Sequence, residues 1–294
     1  MIKKSTWLHL RIPFSYFLFP VYFFSLSVIP ELNFWDLIIS FLAIHLFLYP
    51  ASNGYNSYFD KDEGSIGGLE KPPPVDKELY YTALLFDLLA ILIALAGGWQ
   101  FALALFIYGL VSKAYSHDKI RLKKFPVVSW VVVSIFQGSF IFLSVYQMFT
   151  EESLVEIFQN EGVVWPALLS TAMLMGSYPM TQVYQHEEDG KRGDLTISRM
   201  LGIRGTFIFT MVFFSLAMGG FAFFYVNWFE EIYAIGLFAG LFPVLIYFLY
   251  WFWQVYKNPK KADFKSTMRL NFISATCFNL FFFSTILARH LVTV

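Results

Sequence analysis

The chain has 294 residues, of which 57% are hydrophobic and 14% are charged, and its mean hydropathy is +0.57. Soluble domains carry about a quarter charged residues, so this composition excludes an ordinary soluble protein and indicates a membrane protein with several spans. The net charge is zero, so we expect no nucleic-acid partner, and the single cysteine, Cys277, excludes an intrachain disulfide and a cysteine metal cluster.

Nine apolar stretches are long enough to cross a bilayer, which takes about 20 helical residues. The tail before them begins with lysines and has no small-residue cleavage site, so we expect no removable signal peptide. Spans three and four meet at Gly97-Gly98, where the sequence predicts a tight hairpin. The predicted spans cover about 13–30, 34–56, 80–98, 99–116, 126–148, 163–186, 205–227, 231–254 and 270–290.

The basic residues indicate which membrane face each loop occupies. Of 21 lysines and arginines, 20 lie in the N-terminal tail, at the end of span four, or in the loops after spans two, four, six and eight, and only Arg289 lies on the other face. Loops rich in lysine and arginine stay in the cytoplasm. The sequence therefore predicts a bacterial inner-membrane protein with a cytoplasmic N-terminus, a C-terminus on the opposite side and its long polar loops in the cytoplasm.

A twelve-residue pattern occurs at the ends of spans two and six. Residues 49–60 read YPASNGYNSYFD, and residues 178–189 read YPMTQVYQHEED. Four positions are identical, and two others exchange one amide for another, as Asn53/Gln182 and Asn56/Gln185. Pro50 and Pro179 are expected to kink their helices.

The offset between the copies maps span two onto span six in the same orientation. It therefore predicts an all-α polytopic membrane protein made of two parallel four-helix repeats, at about 13–125 and 126–260, with a ninth helix appended. We expect these parts to form a single integral membrane domain, residues 1–294.

Each copy ends in amide and carboxylate side chains. Asn56 and Asp60 are four residues apart, as are Gln185 and Asp189, so each pair is expected to share a helix face. Hard divalent ions such as Mg²⁺ prefer such oxygens and commonly connect proteins to phosphates. The two ends therefore predict a Mg²⁺ site for a phosphate-bearing ligand, and the expected metal ligands are Asn56, Asp60, Asp62, Gln185 and Asp189.

The loop after span four reads AYSHDKIRLKKFP and is strongly basic. Arginine offers forked donors that match phosphate oxygens. Short cytoplasmic loops are generally basic, but this one lies on the same predicted face as both acidic ends. We therefore expect it to contact phosphate as well.

Three segments, NSYFDKDEG, YSHDKIRLKKFP and EEDGKRGDLTISRMLG, resemble the signature regions of the UbiA-type intramembrane prenyltransferases. The resemblance extends over nearly the whole chain and implies nine helices around a central cavity. It also implies Mg²⁺-dependent transfer of a prenyl group from an isoprenoid diphosphate to an aromatic, quinone-precursor-like acceptor or another lipophilic acceptor within the membrane. The implied active site faces the cytoplasm.

The resemblance also assigns roles to single residues. Asn56 and Asp60 match the family's Asn-x-x-x-Asp-x-x-x-Asp motif, and Asp189 matches the last position of its Asp-x-x-x-Asp motif. Gly64 and Gln185 stand where the family has its remaining two aspartates. The implied catalytic residues are Asp60, Asp189, Tyr115, Lys119 and Arg121. The implied substrate-binding residues are Asn53, Asn56, Lys123, Gln182, Gln185 and Lys191.

Two other functions remain open at this point. The departures at Gly64 and Gln185 are compatible with a family member that binds prenyl diphosphate without catalysis. Asp87, inside span three, together with the parallel repeats, is compatible with a membrane transporter. Against transport, the polar groups concentrate at one membrane face instead of forming a path across. Asp87 is expected either to pair with a polar group on a neighbouring helix or to contact substrate.

Overall fold

The structure is a computed structural model that describes residues 2–291. The chain is 83% helical, and its described part contains no β-strand. An α-helix satisfies its backbone hydrogen bonds internally, which is what a chain in hydrocarbon requires. The all-α, polytopic fold class predicted from the sequence is therefore confirmed.

Fourteen α-helices occur among the described residues. They are, in chain order, α1 Lys4–Leu10, α2 Phe19–Val28, α3 Phe34–Phe41, α4 Tyr49–Asp60, α5 Lys77–Ala94, α6 Trp99–Ser116, α7 Pro126–Ile135, α8 Ile141–Thr150, α9 Leu154–Gln159, α10 Glu161–Ser177, α11 His186–Lys191, α12 Ile197–Trp228, α13 Glu231–Lys257 and α14 Phe264–Leu291. Short 3₁₀ helices lie at Ile12–Leu18, Leu95–Gly97, Leu122–Lys124, Tyr178–Gln182 and Pro259–Lys261.

Seven continuous helical stretches of the described chain are long and apolar enough to cross a membrane. They are Lys4–Val28, Phe34–Asp60, Lys77–Gly97, Pro126–Thr150, Ile197–Trp228, Glu231–Lys257 and Phe264–His290. The other two predicted spans fall on α6 and α10, which have 18 and 17 residues. At about 1.5 Å per residue, both are shorter than about 30 Å of hydrocarbon. The count of nine spans stays a prediction.

Two spans contain π-helical turns, which widen a helix locally. One covers Leu42–Leu48 within the continuous stretch Phe34–Asp60, and Pro50 follows directly after it, in the first turn of α4. The other covers Phe136–Phe140 and includes Gly138 at φ −94° and ψ −108°. A Cβ atom at Gly138 would lie 2.7 Å from the Cα atom of Thr171, so this close helix contact requires glycine.

The two copies of the repeated pattern fold differently. The first copy forms α4 without interruption. In the second, α10 ends at Ser177, a 3₁₀ helix follows at Tyr178–Gln182, and α11 begins only at His186. Gln185 therefore precedes α11, and the expected helix face shared by Gln185 and Asp189 is wrong. Pro179, in the first turn of the 3₁₀ helix, ends α10 instead of kinking it.

The chain forms two compact units that alternate along the sequence. The first unit contains the described residues up to Tyr16, together with Leu32–Ser129 and Glu187–Leu195. Its core includes the buried side chains of Leu10, Ala51 and Phe86. The second unit contains Phe17–Glu31, Trp130–His186 and the described residues from Thr196 onward. Its core includes Met180, Val183, Phe207, Phe248, Trp251, Val255 and Leu270.

Candidate functional site

Asp60 is the last residue of α4, and only 5% of it is exposed. The next residue, Lys61, takes the left-handed conformation at φ 48°, and its N–H donates to the Ser57 carbonyl at 2.9 Å. That turn ends the helix as a left-handed C-terminal cap does. The helix end thus places a carboxylate in a buried position at the membrane face that the charge pattern predicts to be cytoplasmic.

Three cations of the first unit converge on the Asp60 carboxylate. The ammonium of Lys123 is in direct contact with Oδ1 of Asp60. The Nη2 atom of Arg121 and the Nη1 atom of Arg192 each lie 3.7 Å from the same oxygen. Lys123 and Arg121 come from the basic loop after α6, and Arg192 follows α11. The structure therefore joins the first acidic end, the basic loop and the segment after the second acidic end.

Asp194 is a second buried carboxylate in this cluster. It accepts hydrogen bonds from Nε of Arg121 at 2.9 Å and from Nη2 of Arg121 at 2.8 Å, and Lys123 lies 3.4 Å away. Burial alone would raise the pKa of Asp194, but the hydrogen bond from Arg121 and the charges of Lys123 and Arg121 hold it below its usual value. The pKa of Arg121 is raised, because its bonds to Asp194 outweigh the effect of burial.

Asp62 lies just beyond the end of α4 and faces Nη2 of Arg192 at 3.4 Å. Burial, followed by the neighbouring charge of Asp60, raises the pKa of Asp62 to about 6, against the opposing charges of Arg192 and Lys123. Glu188 contributes in the raising direction as well. A hard cation would relieve the repulsion among carboxylates that raises the pKa of Asp62.

The raised pKa of Asp62 predicts a pH-dependent stability. A carboxyl group with a raised pKa in the folded protein destabilises the fold above that pKa, because its charged form is disfavoured there. The shift from 3.8 to about 6 corresponds to about 3 kcal/mol. In a buffer with a metal chelator, we expect Asp62→Asn to raise the melting temperature by roughly 5–10 °C at pH 7.5.

The same comparison at lower pH supplies the control. The advantage of Asp62→Asn should disappear as the pH falls through 6 towards 4, because protonation then removes the penalty in the unsubstituted protein. The exposed Asp118, of which 69% of the side chain is accessible, should give no such difference when changed to Asn. A difference in melting temperature between Asp62→Asn and the unsubstituted protein that stays constant from pH 7.5 to pH 4 would contradict the prediction.

Gly64 stands where the resemblance to the UbiA-type prenyltransferases would place the last aspartate of the first motif. A Cβ atom there would lie 3.5 Å from Oε2 of Glu188. Glu188 belongs to α11, and one fifth of its side chain is exposed. A carboxylate from the second acidic end thus reaches the place where the first end lacks one. The sequence alone gives no sign of this, because Glu188 and Gly64 lie far apart along the chain.

Asn56 is held from the neighbouring helix. The hydroxyl of Ser116 donates to Oδ1 of Asn56 at 3.1 Å. The backbone carbonyl of Asn53 accepts a hydrogen bond from Nη2 of Arg11 at 3.1 Å. Both contacts stiffen α4 next to Asp60, and they make Ser116 and Arg11 supporting residues that the sequence does not indicate.

The remaining predicted site residues differ in their exposure and in their contacts. Lys119 is exposed, and within the described chain its ammonium has no ion-pair partner. Lys191 is 65% exposed and lies 3.6 Å from Glu187 on the surface of α11. In the second unit, Oε1 of Gln182 accepts the Ser198 N–H at 3.4 Å. Tyr115, Gln185 and Asp189 are half-buried.

Sequence reasoning missed Arg192 and Asp194. Both lie in the segment KRGD, directly after the second acidic end. Their proximity to Asp189 was the available signal. It was weak, because cytoplasmic loops contain many charged residues for reasons of topology. Their partners lie more than 60 positions earlier in the chain and become visible only in the fold.

The site offers oxygen donors for a metal ion, but basic groups contact them. In the described chain, no three histidine, cysteine, aspartate or glutamate side chains form a ready metal site. Asp60 and Asp62 nevertheless lie close enough that the charge of Asp60 raises the pKa of Asp62. Carboxylate and amide oxygens are the donors that Mg²⁺ prefers. The donor set therefore fits Mg²⁺ in its chemistry, provided that Lys123 moves away from Asp60.

Asp87 is paired within the membrane. Its carboxylate contacts the ammonium of Lys113, which comes from α6, while Asp87 lies on α5. The same ammonium lies 5.2 Å from the centre of the Tyr55 ring. This is the interhelical pairing that the sequence left open, and it gives Asp87 a partner for its charge.

The second unit contains an apolar cavity of about 540 Å³. Ligand pockets typically measure about 300–1,000 Å³ and have a few polar groups among apolar walls. Here the polar groups include Asn271 and Ser274 of α14, and the apolar walls come from α12, α13 and the Leu270 and Phe278 side chains of α14. Representative lining residues are Phe214, Met218, Phe242, Leu245, Asn271 and Ser274.

Comparisons with known proteins agree with this architecture. A family model for the UbiA prenyltransferase family matches residues 17–273. No curated protein matches the chain. Among solved structures, a UbiA homolog from Archaeoglobus fulgidus bound to GPP and Mg²⁺ aligns with a TM-score of 0.69 at 17% identity, covering 96% of this chain and 99% of that one.

Two further structures have the same fold. A UbiA homolog from Archaeoglobus fulgidus bound to DMAPP and Mg²⁺ aligns with a TM-score of 0.69 at 16% identity, covering 96% of this chain and 99% of that one. A structure described as digeranylgeranylglyceryl phosphate synthase in membranes aligns with a TM-score of 0.61 at 18% identity, covering 96% and 98%. At these identities, the likeness concerns the fold.

Proposed function

The chain belongs to the UbiA prenyltransferase family, and on this premise we propose that it transfers a prenyl group from an isoprenoid diphosphate to a lipophilic acceptor in the membrane, with Mg²⁺ as cofactor. The observation that carries the proposal is the buried cluster around Asp60. It combines carboxylates suited to a hard cation with cations suited to a diphosphate. The structural relatives bound to GPP or DMAPP with Mg²⁺ support the same chemistry.

We assign the metal-binding role to the oxygens at the end of α4. Asp60 and Asp62 supply carboxylates, Asn56 supplies an amide oxygen fixed by Ser116, and Glu188 supplies the carboxylate that Gly64 lacks. When bound there, Mg²⁺ would neutralise the negative charge that develops on the departing diphosphate. Asp189 and Gln185 remain proposed metal ligands on the basis of the sequence, as Gln182 and Asn53 remain proposed substrate contacts.

The basic side chains bind and orient the diphosphate in this proposal. Among the described residues, the ion-pair partners of Lys123 are the carboxylates of Asp60 and Asp194, so an incoming phosphate can take its ammonium when a metal ion occupies Asp60. Arg192 offers a guanidinium next to Asp62, and the exposed Lys119 offers an unpaired ammonium. Because Lys123 and Arg192 are largely buried, their charges are screened little by water, which strengthens their stabilisation of the leaving group.

The cavity of about 540 Å³ in the second unit has the size and lining of a site for a hydrocarbon group or an aromatic ring. An aromatic quinone precursor is the acceptor class that we propose. We also propose the orientation given by the basic loops, with the N-terminus and the acidic cluster in the cytoplasm of a bacterial cell.

The transport alternative was motivated by Asp87, inside span three, together with the parallel repeats. Asp87 contacts Lys113 of the next helix, which favours the structural of the two roles expected for it. An interhelical ion pair of this kind fits a structural role.

The function is tested with the purified chain reconstituted in lipid vesicles. We expect labelled geranyl or longer prenyl diphosphates to yield a prenylated product with at least one acceptor from a panel of phenols, dihydroxynaphthoate and hydroxybenzoate. Product formation should stop with EDTA and return with Mg²⁺. Tight binding of prenyl diphosphate without product across the panel would instead favour the non-catalytic alternative, and flux of a cation across the vesicles without product would favour transport.

A further inference from the structure

Asp194 is completely buried. It lies in the segment EEDGKRGDLTISRMLG but at none of the motif positions to which the sequence assigned a role. It follows α11, and its N–H donates to the Asp189 carbonyl at 2.9 Å, which ties its backbone to the second acidic end. Its carboxylate faces two cations from the loop after α6. A buried carboxylate is costly unless it is paired and hydrogen-bonded, so these contacts with the basic loop are required for its position.

The pair between Asp194 and Arg121 is forked. Nε and Nη2 of Arg121 donate to separate carboxylate oxygens at 2.9 Å and 2.8 Å. Such a pair fixes the plane of the guanidinium as well as its distance, which a lysine at the same position could not do. Asp194 therefore determines the direction in which Arg121 points.

Protein carboxylates contact every nitrogen of the Arg121 guanidinium. Beyond the fork with Asp194, Nη1 donates to Asp118 at 3.3 Å, and Nη2 lies 3.7 Å from Asp60. Only 7% of Arg121 is exposed. A phosphate oxygen could reach this guanidinium only after one of these pairs had broken. The arrangement therefore differs from the direct phosphate contact that the sequence predicts for Arg121.

Lys123 faces the same two buried carboxylates as Arg121, those of Asp60 and Asp194. Its ammonium contacts Asp60 and lies 3.4 Å from Asp194. Asp194 consequently holds both loop cations at the distance from which they act on Asp60. Removing Asp194 would leave Arg121 and Lys123 buried beside Asp60 with one carboxylate fewer, and they would shift towards it.

We propose that Asp194 is a positioning residue, because its forked bond to Arg121 and its contact with Lys123 fix the position of the Asp60 carboxylate. In this arrangement Arg121 acts on Asp60 instead of on the diphosphate. The inference rests on the proposed transferase function. It adds a positioning role for Asp194, which lies outside the motif positions, and it gives Arg121 a role other than the phosphate contact that the sequence predicts. It concerns the geometry of the protein's own side chains, so it also has consequences for metal binding without turnover.

The kinetic test compares Asp194→Asn with Arg121→Lys, which keeps the charge and removes the fork. Loss of a residue that orients a metal ligand commonly costs about 10–100-fold in activity or affinity. We expect both variants to lower kcat by about that factor, with the KM for prenyl diphosphate changed less than about fivefold. The kcat of the double variant should be no lower than the kcat of the less active single variant, because the two residues act as a unit.

Two further variants separate positioning from general damage. Asp194→Glu should recover part of kcat, since it restores the carboxylate. Asp118→Asn removes a charge from the same guanidinium at an exposed position and should change kcat less than about threefold. If Arg121 contacts the diphosphate directly, changing it will raise KM more than tenfold while Asp194→Asn leaves kcat intact. That result, or losses that multiply in the double variant, would overturn the inference.

A second readout keeps the inference apart from the proposed function. Mn²⁺ binding to the unreacted protein, measured by electron paramagnetic resonance, should weaken about 10–100-fold in Asp194→Asn and in Arg121→Lys. It should stay within about threefold in Asp118→Asn. If the unsubstituted protein shows no turnover, the transferase proposal fails, while this binding comparison still decides the inference. Equal Mn²⁺ affinity in all four proteins would overturn it, once melting curves confirm that each variant is folded.

Discussion

Asp60→Asn is expected to lower prenyl transfer by about 1,000-fold, the largest effect of any single substitution in this chain. Asp60 supplies the proposed metal site with a buried carboxylate, and Lys123, Arg121 and Arg192 all face it. The change removes one anionic ligand and leaves these cations without their common partner. Preorganised charge of this kind commonly contributes about 100–1,000-fold to rate for one group, and the loss of metal affinity adds to that.

The measurement is product formation per folded protein at saturating Mg²⁺. Glu63→Gln is the matched control, because it also removes one negative charge, lies three residues further along the chain and is exposed. It should keep activity within about threefold of the unsubstituted protein. Melting curves with and without Mg²⁺ distinguish loss of the site from loss of the fold. Activity that persists after replacement of both Asp60 and Asp189 would refute the assignment of the site.

Breaking the Asp87–Lys113 pair is expected to have the largest effect on stability. Asp87 on α5 and Lys113 on α6 are largely buried, with 12% and 21% of their side-chain areas exposed. Removing one partner leaves an uncompensated charge in a poorly polar environment. For buried pairs, this costs about 3–5 kcal/mol. Asp87→Leu and Lys113→Met should therefore each lower the melting temperature strongly in detergent.

The double variant, Asp87→Leu with Lys113→Met, should return most of that stability, because an apolar pair replaces the ionic one without leaving a lone charge. Lys3→Met, which breaks the exposed Lys3–Asp76 contact at 2.5 Å, serves as the control and should change the melting temperature little. A double variant as unstable as either single variant would contradict the prediction. A stable but inactive double variant would indicate that Asp87 or Lys113 contacts substrate.

The membrane-spanning helices were predictable because the information for them is local. A run of apolar residues about 20 long identifies a span without reference to the rest of the chain. The end of α4 was predictable for the same reason, since Asn56 and Asp60 lie four apart within one helix. The second copy of the pattern has a similar sequence, yet its chain leaves α10 at Ser177 and begins α11 at His186. Likeness between the copies therefore did not carry over into likeness of their helices.

The charged contacts of the site could not be predicted in the same way, because their partners are remote along the chain. Positive loops on the cytoplasmic face are a general property of membrane proteins, so the sequence offers many cations and cannot say which acid each one meets. Arg121 and Asp194 lie 73 positions apart. Sequence alone determined the membrane class, the helical fold and the family resemblance, and it supplied the proposal that Asp60 is a site residue. Only the tertiary structure decided that Asp194 aligns Arg121, that Arg192 reaches Asp62 and that Glu188 faces Gly64, because these contacts depend on distances between segments that are remote along the chain.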